Sequence, residues 1–106
     1  MKASCEVVYW REIPAQVRAR IGRERASHPL SDRFQQAIDE AAMRTGKTGT
    51  DGYLEEWRTS EPIEREGEPE AAAANLAAEI EKDYPPARLQ KLAANGGLER
   101  SASPIP

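Results

Sequence analysis

The sequence predicts an α+β domain, in which a three-stranded antiparallel sheet in the order β-β-α-β-α carries two to three helices on one face. Three observations indicate this class. The N-terminal part is rich in β-branched and aromatic residues, the middle carries an amphipathic helical stripe, and a later stretch is rich in alanine. A length of 106 residues with 39% hydrophobic residues suits one small domain with a modest core.

The N-terminal segments predict an antiparallel hairpin. Residues 5–10 are rich in β-branched and aromatic side chains, and polar and apolar residues alternate over residues 16–21. A helix that begins at Pro14 is the alternative for the second segment, but Gly22 and the weak apolar stripe favour a strand. We expect residues 23–30 to form a loop or a frayed strand.

A helix is predicted to begin at Ser31–Asp32, where the aspartate can act as a cap. The apolar residues that follow repeat with helical spacing along one face: Phe34, Ala37, Ile38, Ala41 and Ala42. Gly46 supplies the C-terminal stop.

Residues 53–63 predict the third strand, because apolar and polar residues alternate at its start and the later part is extended in character. Tyr53 and Trp57 also stand one helical turn apart, so a helix is the open alternative. In the strand arrangement both rings point to one face and pack against Phe34 of the preceding helix.

The C-terminal part predicts two more helices. Pro69 suits the first turn of one helix, and the alanines at residues 71–74 have high helix propensity. A second, short helix is expected over residues 86–94. We place a single domain at residues 1–97 and expect a disordered tail over residues 98–106.

Composition excludes several classes of function. The net charge is −3 and the pI is near 5.2, which disfavours a nucleic-acid partner. No apolar run is long enough to span a membrane, and the N-terminus lacks the apolar core of a signal peptide. We therefore expect a cytoplasmic protein with no membrane contact. Cys5 is the only cysteine, which leaves it no partner for an internal disulfide or a cysteine-based metal site.

No catalytic constellation is visible in the sequence. His28 is the only histidine, and no nucleophile or orienting acid is signalled beside it. The carboxylates stand as adjacent pairs, such as Asp39 and Glu40, without the spacing that hydrolysis or metal binding requires. We therefore expect a non-enzyme that uses no metal and no cofactor.

One group of candidate binding residues combines aromatic, methionine and arginine side chains. Tyr9 and Trp10 are neighbours in a strand, so helices on one face leave one of the two rings uncovered. Met43 lies opposite Phe34 on its helix and beside Arg44, away from the apolar stripe. Such side chains are typical of a protein-binding patch. Burial of the patch by the last helix or by a dimer partner is the alternative.

A second group is a local basic stripe of Arg18, Arg20, Arg23 and Arg25. Arg18 and Arg20 project from one face of the second strand, and guanidinium groups suit carboxylates and phosphates. A solvated outer face, balanced by the acidic second half of the chain, is the alternative. The predicted binding residues are Tyr9, Trp10, Arg11, Arg18, Arg20, Met43 and Arg44.

Three motifs resemble a known family. They are YWREIPAQV at residues 9–17, RFQQAIDEAAMR at residues 33–44 and DGYLEEW at residues 51–57. Over residues 5–65 the chain resembles small bacterial proteins of the virulence-factor domain family. The resemblance implies a domain that is attached to larger conserved virulence factor proteins, or that stands alone near folate-reducing and cobalamin-dependent methyl-transfer enzymes. It implies a helper role in one-carbon metabolism and supplies no catalytic residues.

The sequence therefore predicts a non-enzymatic accessory module that binds a larger bacterial protein and is itself a monomer or a weak dimer. The alternative is an accessory domain that binds a phosphorylated or folate-like anion through Arg18 and Arg20.

Overall fold

Residues 1–47 and 50–98 are described by a computed structural model, and within them the chain forms five strands and four helices. In chain order the elements are β1 (Lys2–Trp10), β2 (Ile13–Ile21), β3 (Glu24–Pro29), α1 (Asp32–Arg44), α2 (Thr50–Glu55), β4 (Trp57–Thr59), β5 (Ile63–Glu66), α3 (Pro69–Asp83) and α4 (Pro86–Ala94). The predicted α+β class is confirmed. The predicted tail, apart from Leu98, lies outside the described residues.

All five strands belong to one antiparallel sheet. Its order is β3-β2-β1-β4, and β5 pairs with the N-terminal half of β1, next to β4. The predicted β1–β2 hairpin is present, with Cys5 opposite Ala19 and Val7 opposite Val17. The sheet has five strands where three were expected. One of the additional strands is β3, whose residues 24–29 pair with residues 16–21 of β2.

The segment that was predicted as a third strand divides into two kinds of structure. Tyr53 lies in α2, whereas Trp57 begins β4, and the extended backbone resumes only in β5 after Pro62. The rings of Tyr53 and Trp57 meet edge to face with centroids 5.7 Å apart. Both patterns in the sequence are therefore present: Tyr53 belongs to a helix, and Trp57 begins a strand.

Helices α1, α3 and α4 form the helical layer, of which α3 covers one face of the sheet. α3 contacts β1, β2 and β3, while α1 contacts β2 and α4. The strand residues buried beneath this layer are Ala3, Cys5, Val7, Val17 and Ala19, and the buried side of α3 consists of Pro69, Ala72, Ala73, Leu76, Ala77 and Ile80. The short alanine side chains let α3 lie close to the sheet.

The opposite face of the sheet has no helix over most of its area. Side chains that alternate with the buried ones on β1 are half-buried at Ser4, Glu6 and Val8, and those on β2 are exposed at Arg18 and Arg20. Among the described residues, only this open face of the sheet carries a row of exposed charged side chains.

Candidate functional site

A tight turn brings arginines of two strands together on the open face. Gly22 has a φ of +58°, and it occupies the first central position of the two-residue turn between β2 and β3. Glycine at this position is what a type II′ hairpin turn requires. The resulting register sets Arg20 directly opposite Arg25 and Arg18 opposite Ser27.

We call the side chains of Arg18, Arg20 and Arg25 the arginine face. They line a shallow cavity of about 400 Å³ together with Ser4, Glu6, Ala19, Ala26 and Ser27. Like charges directly opposite each other on a sheet destabilise it. An anion bound between Arg20 and Arg25 relieves this repulsion, so the arrangement is suited to carboxylate or phosphate groups.

The arginine face is almost free of internal partners. Arg18 donates a long hydrogen bond of 3.5 Å to the hydroxyl of Thr59. Across the part of the chain that the structure describes, Arg20 and Arg25 make no hydrogen bond or ion pair through their side chains. Glu6 stands opposite Arg18 in the register but forms no ion pair with it. These guanidinium groups are therefore available to a ligand.

Sequence reasoning counted Arg25 in the basic stripe but not among the predicted binding residues. It assigned residues 23–30 to a loop, and in a loop the direction of a side chain is undetermined. The signal that could have found Arg25 is the glycine at the first position of a two-residue turn, because a II′ hairpin fixes the register on both sides. Arg20 and Arg25 are then necessarily cross-strand neighbours.

Trp10 is a core residue, which corrects its predicted place in an exposed patch. Its exposed fraction is 0%, its ring stacks on Tyr53 with centroids 5.8 Å apart, and its Nε1 donates a 2.9 Å hydrogen bond to the carbonyl oxygen of Tyr53. Gly97, beyond α4, also packs against the indole. The ring is covered because α2 and the end of α4 meet over it.

Tyr9, the neighbour of Trp10, is half-buried. Its ring lies beneath the guanidinium of Arg58, which is 4.6 Å from the ring centroid and opposite Tyr9 in the register. Tyr9 and Arg58 line an open cleft of about 560 Å³ with Tyr84 and the residues between β4 and β5. As expected, only one of the two neighbouring rings is accessible, and it is the ring of Tyr9, whereas that of Trp10 is buried.

Arg11 is engaged within the fold. Its side chain is only 15% exposed; Nε lies 3.3 Å from a carboxylate oxygen of Glu56, and Nη1 donates a 2.9 Å hydrogen bond to the carbonyl oxygen of Gly96. Its backbone has a φ of +56°, which is uncommon for a residue other than glycine. Arg11 therefore ties the β1–β2 turn to α2 and to the end of α4, and it does not belong to an exposed patch.

Glu56 is the centre of this contact. Desolvation by burial acts to raise the pKa of its carboxyl group, but hydrogen bonds and charges from Arg11 and Lys47 outweigh it and lower the pKa. The Nζ of Lys47 lies 3.3 Å from the second carboxylate oxygen. Glu56 is therefore held ionised between two cations, which is a structural role.

Met43 and Arg44 lie near the end of α1. Met43 is 65% exposed, and the Nε of Arg44 lies 2.8 Å from Glu40 one turn earlier. Among the residues that the structure describes, no hydrogen bond or ion pair joins Met43 or Arg44 to Arg18 or Arg20. The predicted binding residues therefore do not form one patch, and Trp10 and Arg11 lie inside the fold.

Within the described ranges, no cluster of three or more histidine, cysteine or carboxylate side chains is arranged to hold a metal ion. Cys5 is buried, and this burial raises the pKa of its thiol despite the opposing charge of Arg65. A thiol in this environment is a poor nucleophile.

The profile of a family described as virulence factor matches residues 8–93, about four fifths of the chain. Neither the search of curated proteins nor the search of solved structures finds a match. Of the helices that the structure describes, none has the length and apolar character needed to cross a membrane.

Proposed function

This chain belongs to the virulence factor family, and we propose that it acts as a non-enzymatic accessory module whose arginine face binds an acidic surface of a larger bacterial protein. The observation that carries the proposal is the unpaired arrangement of Arg20 opposite Arg25 on an open sheet face. A helper role in one-carbon or cobalamin-dependent methyl transfer, which the family resemblance implies, is a prediction about the identity of that protein.

The distribution of charge supports this proposal. The chain as a whole is acidic, yet residues 16–29 contain four arginines and a single acidic residue. Arginine is enriched at protein interfaces, where its planar guanidinium can form paired hydrogen bonds with a carboxylate. A basic surface on an acidic protein steers it towards an acidic partner and away from basic surfaces.

The distribution of charge over the whole molecule favours a protein partner over a nucleic acid partner. A nucleic acid extends its negative charge well beyond three arginines, and the strand on the far side of β1 carries Glu64 and Glu66. An acidic segment of a protein matches a basic patch of this limited size.

A pull-down with charge-reversal variants tests the proposal. Tagged wild-type protein and Arg18→Glu/Arg20→Glu protein are incubated with extract of the source bacterium, and bound proteins are identified by mass spectrometry. We expect a specific partner that the double variant loses. With the purified partner, the affinity should fall as ionic strength rises, and it should be weaker by about tenfold or more in the double variant.

The matched control is Lys82→Glu/Lys91→Glu, which changes the net charge equally but on α3 and α4. It should keep the partner. A third variant, Met43→Ala, removes the exposed side chain of α1. If Met43→Ala loses the partner while Arg18→Glu/Arg20→Glu retains it, the docking surface lies on the helical side and the proposal is wrong.

A small anion is the second candidate ligand, and the cavity of about 400 Å³ at the arginine face favours it. It predicts that phosphate or a folate-like dicarboxylate shifts NMR signals of residues 16–25 in a salt-dependent manner. Titration without such shifts eliminates this candidate and leaves the protein partner.

A further inference from the structure

β3 is an edge strand that is open to a further strand. It pairs with β2 on one side and, among residues 1–47 and 50–98, with no strand on the other, and all of its residues except Ala26 are exposed. The opposite edge is divided between the short strands β4 and β5, with Pro62 between them. β3 therefore presents the longest uninterrupted edge in the described sheet.

The hairpin geometry determines which backbone groups of β3 face outward. In a two-residue hairpin the residues that flank the turn, here Ile21 and Glu24, form a hydrogen-bonded pair. Alternation then directs the N–H and C=O groups of Arg25 and Ser27 away from β2. Within residues 1–47 and 50–98, these outward groups have no backbone partner.

The same alternation brings the arginine side chains close together. Arg20 and Arg25 form a non-hydrogen-bonded pair, the type in which opposing Cα atoms approach to about 4.5 Å. A strand added beside β3 places every second side chain on the open face, next to Arg25. Acidic side chains at those positions contact the arginine face while the backbones pair.

We propose that the acidic partner contributes an extended segment that adds to β3 as another strand, with alternate aspartate or glutamate side chains directed to Arg25 and Arg20. This inference rests on the proposed function and specifies how the partner docks. Backbone hydrogen bonds at Arg25 and Ser27 supply affinity, and the arginine face supplies the selection for acidic residues.

Charge argues against a second copy of this chain as the occupant. Antiparallel pairing of β3 with its copy makes one continuous sheet, in which both arginine faces lie on the same side. Arg25 of one copy then stands near Arg25 of the other, and like charges at this distance repel. An acidic strand in the same position is attracted to these arginines.

Amide hydrogen exchange provides the direct test. The probe is a synthetic peptide in which glutamate alternates with threonine, and the control peptide has lysine in place of glutamate. We expect the glutamate peptide to slow exchange at Arg25 and Ser27, whose amides face outward. Exchange at Ala26 and His28, whose amides face β2, should not change, and the lysine peptide should have no effect.

Two substitutions at one position separate the backbone from the side chain. Ser27→Pro removes an outward N–H, which an edge strand tolerates, whereas Ser27→Ala removes only the hydroxyl. Ser27→Pro should weaken peptide binding by about tenfold, and Ser27→Ala should leave it within about twofold. If Ser27→Pro does not fold, as judged by circular dichroism, the exchange experiment on the wild-type protein decides.

The outcomes distinguish this inference from the proposed function. In one outcome the glutamate peptide binds, Arg18→Glu/Arg20→Glu abolishes binding, and exchange at Arg25 and Ser27 stays fast. Strand addition is then wrong, but binding through the arginine face is supported. If charge reversal has no effect on binding, both are overturned. Protection of these two amides that grows with protein concentration in the absence of peptide identifies a second copy and overturns the acidic occupant.

Discussion

The indole Nε1 of Trp10 donates a hydrogen bond of 2.9 Å to the backbone carbonyl oxygen of Tyr53, and the two rings stack with centroids 5.8 Å apart. This relationship joins the end of the first strand to α2, a helix far along the chain. A buried Trp N–H needs an acceptor, and here the backbone of the covering helix provides it. Trp10 therefore holds α2 in place as well as filling the core.

Trp10→Ala should destabilise the domain much more than Trp57→Ala. Truncation of a fully buried tryptophan costs about 3–5 kcal/mol, a large share of the roughly 5–15 kcal/mol that stabilises a small domain. Trp57 is only half-buried, so its truncation should cost less. Urea unfolding of both variants, followed by circular dichroism, measures the difference. Equal midpoints for the two variants would contradict the burial of Trp10.

The stability of the domain should depend on Glu56 at acidic pH. Because its folded-state pKa is lowered, the ionised carboxyl group stabilises the fold above the ordinary glutamate pKa of about 4.3. This stabilisation is lost as the pH falls from that value towards the lowered pKa. Glu56→Gln should therefore reduce stability at neutral pH and flatten the fall in stability below about pH 4.5.

The control for this prediction is Glu55→Gln, at a neighbouring exposed residue that makes no ion pair among the residues described. Thermal melts between neutral and acidic pH compare the two variants with the parent. A Glu56→Gln protein whose stability falls with acid as steeply as that of the parent would show that the contact with Arg11 and Lys47 contributes nothing.

Gly97→Ala should destabilise the domain more than Gly46→Ala. Both glycines have positive φ angles, of +88° and +72°, so alanine is strained at either position by roughly 1–2 kcal/mol. At Gly97 an added Cβ also lies 3.2 Å from the Trp10 ring, whereas at Gly46 it meets open space. The difference between the two unfolding free energies measures the packing over Trp10. This difference in free energy should be zero if the segment after α4 does not cover the Trp10 ring.

Arg25→Glu should stabilise the unbound domain and weaken binding. The substitution replaces a repulsive cross-strand pair with an attractive one beside Arg20, a change of roughly 0.2–1 kcal/mol. The same change removes a cation from the arginine face, so the acidic peptide should bind less tightly. Urea denaturation at low salt measures the first effect, and peptide titration measures the second. Arg25→Gln should give an intermediate result for both, and a destabilised Arg25→Glu protein would mean that the arginines do not repel each other.

The sequence predicted those elements whose pattern is local and continuous. The stripe from Phe34 to Ala42 and the stop at Gly46 define α1, and the alternation over residues 16–21 defines β2. The prediction of a strand over residues 53–63 was partly wrong, because Tyr53 and Trp57 satisfy both a helical and a strand spacing. Only the pairing of Trp57 with Trp10 decides where the helix ends and the strand begins.

The candidate site was predictable to the extent that it lies on one strand. Arg18 and Arg20 share a face because side chains alternate, and this follows from the sequence. Arg25 joins them only through strand pairing, which depends on the turn at Gly22 and on β3 forming at all. Met43 and Arg44 were grouped with Tyr9 by residue type alone, and residue type contains no information on which side of a sheet a helix packs.

The sequence by itself determined the α+β class, the hairpin, the position of α1 and the presence of a basic stripe on an acidic chain, because each follows from short-range periodicity or composition. The tertiary structure decided which of the neighbouring rings of Tyr9 and Trp10 is buried. Adjacent residues of a strand point to opposite faces, and only distant segments, here α2 and the end of α4, determine which face is covered.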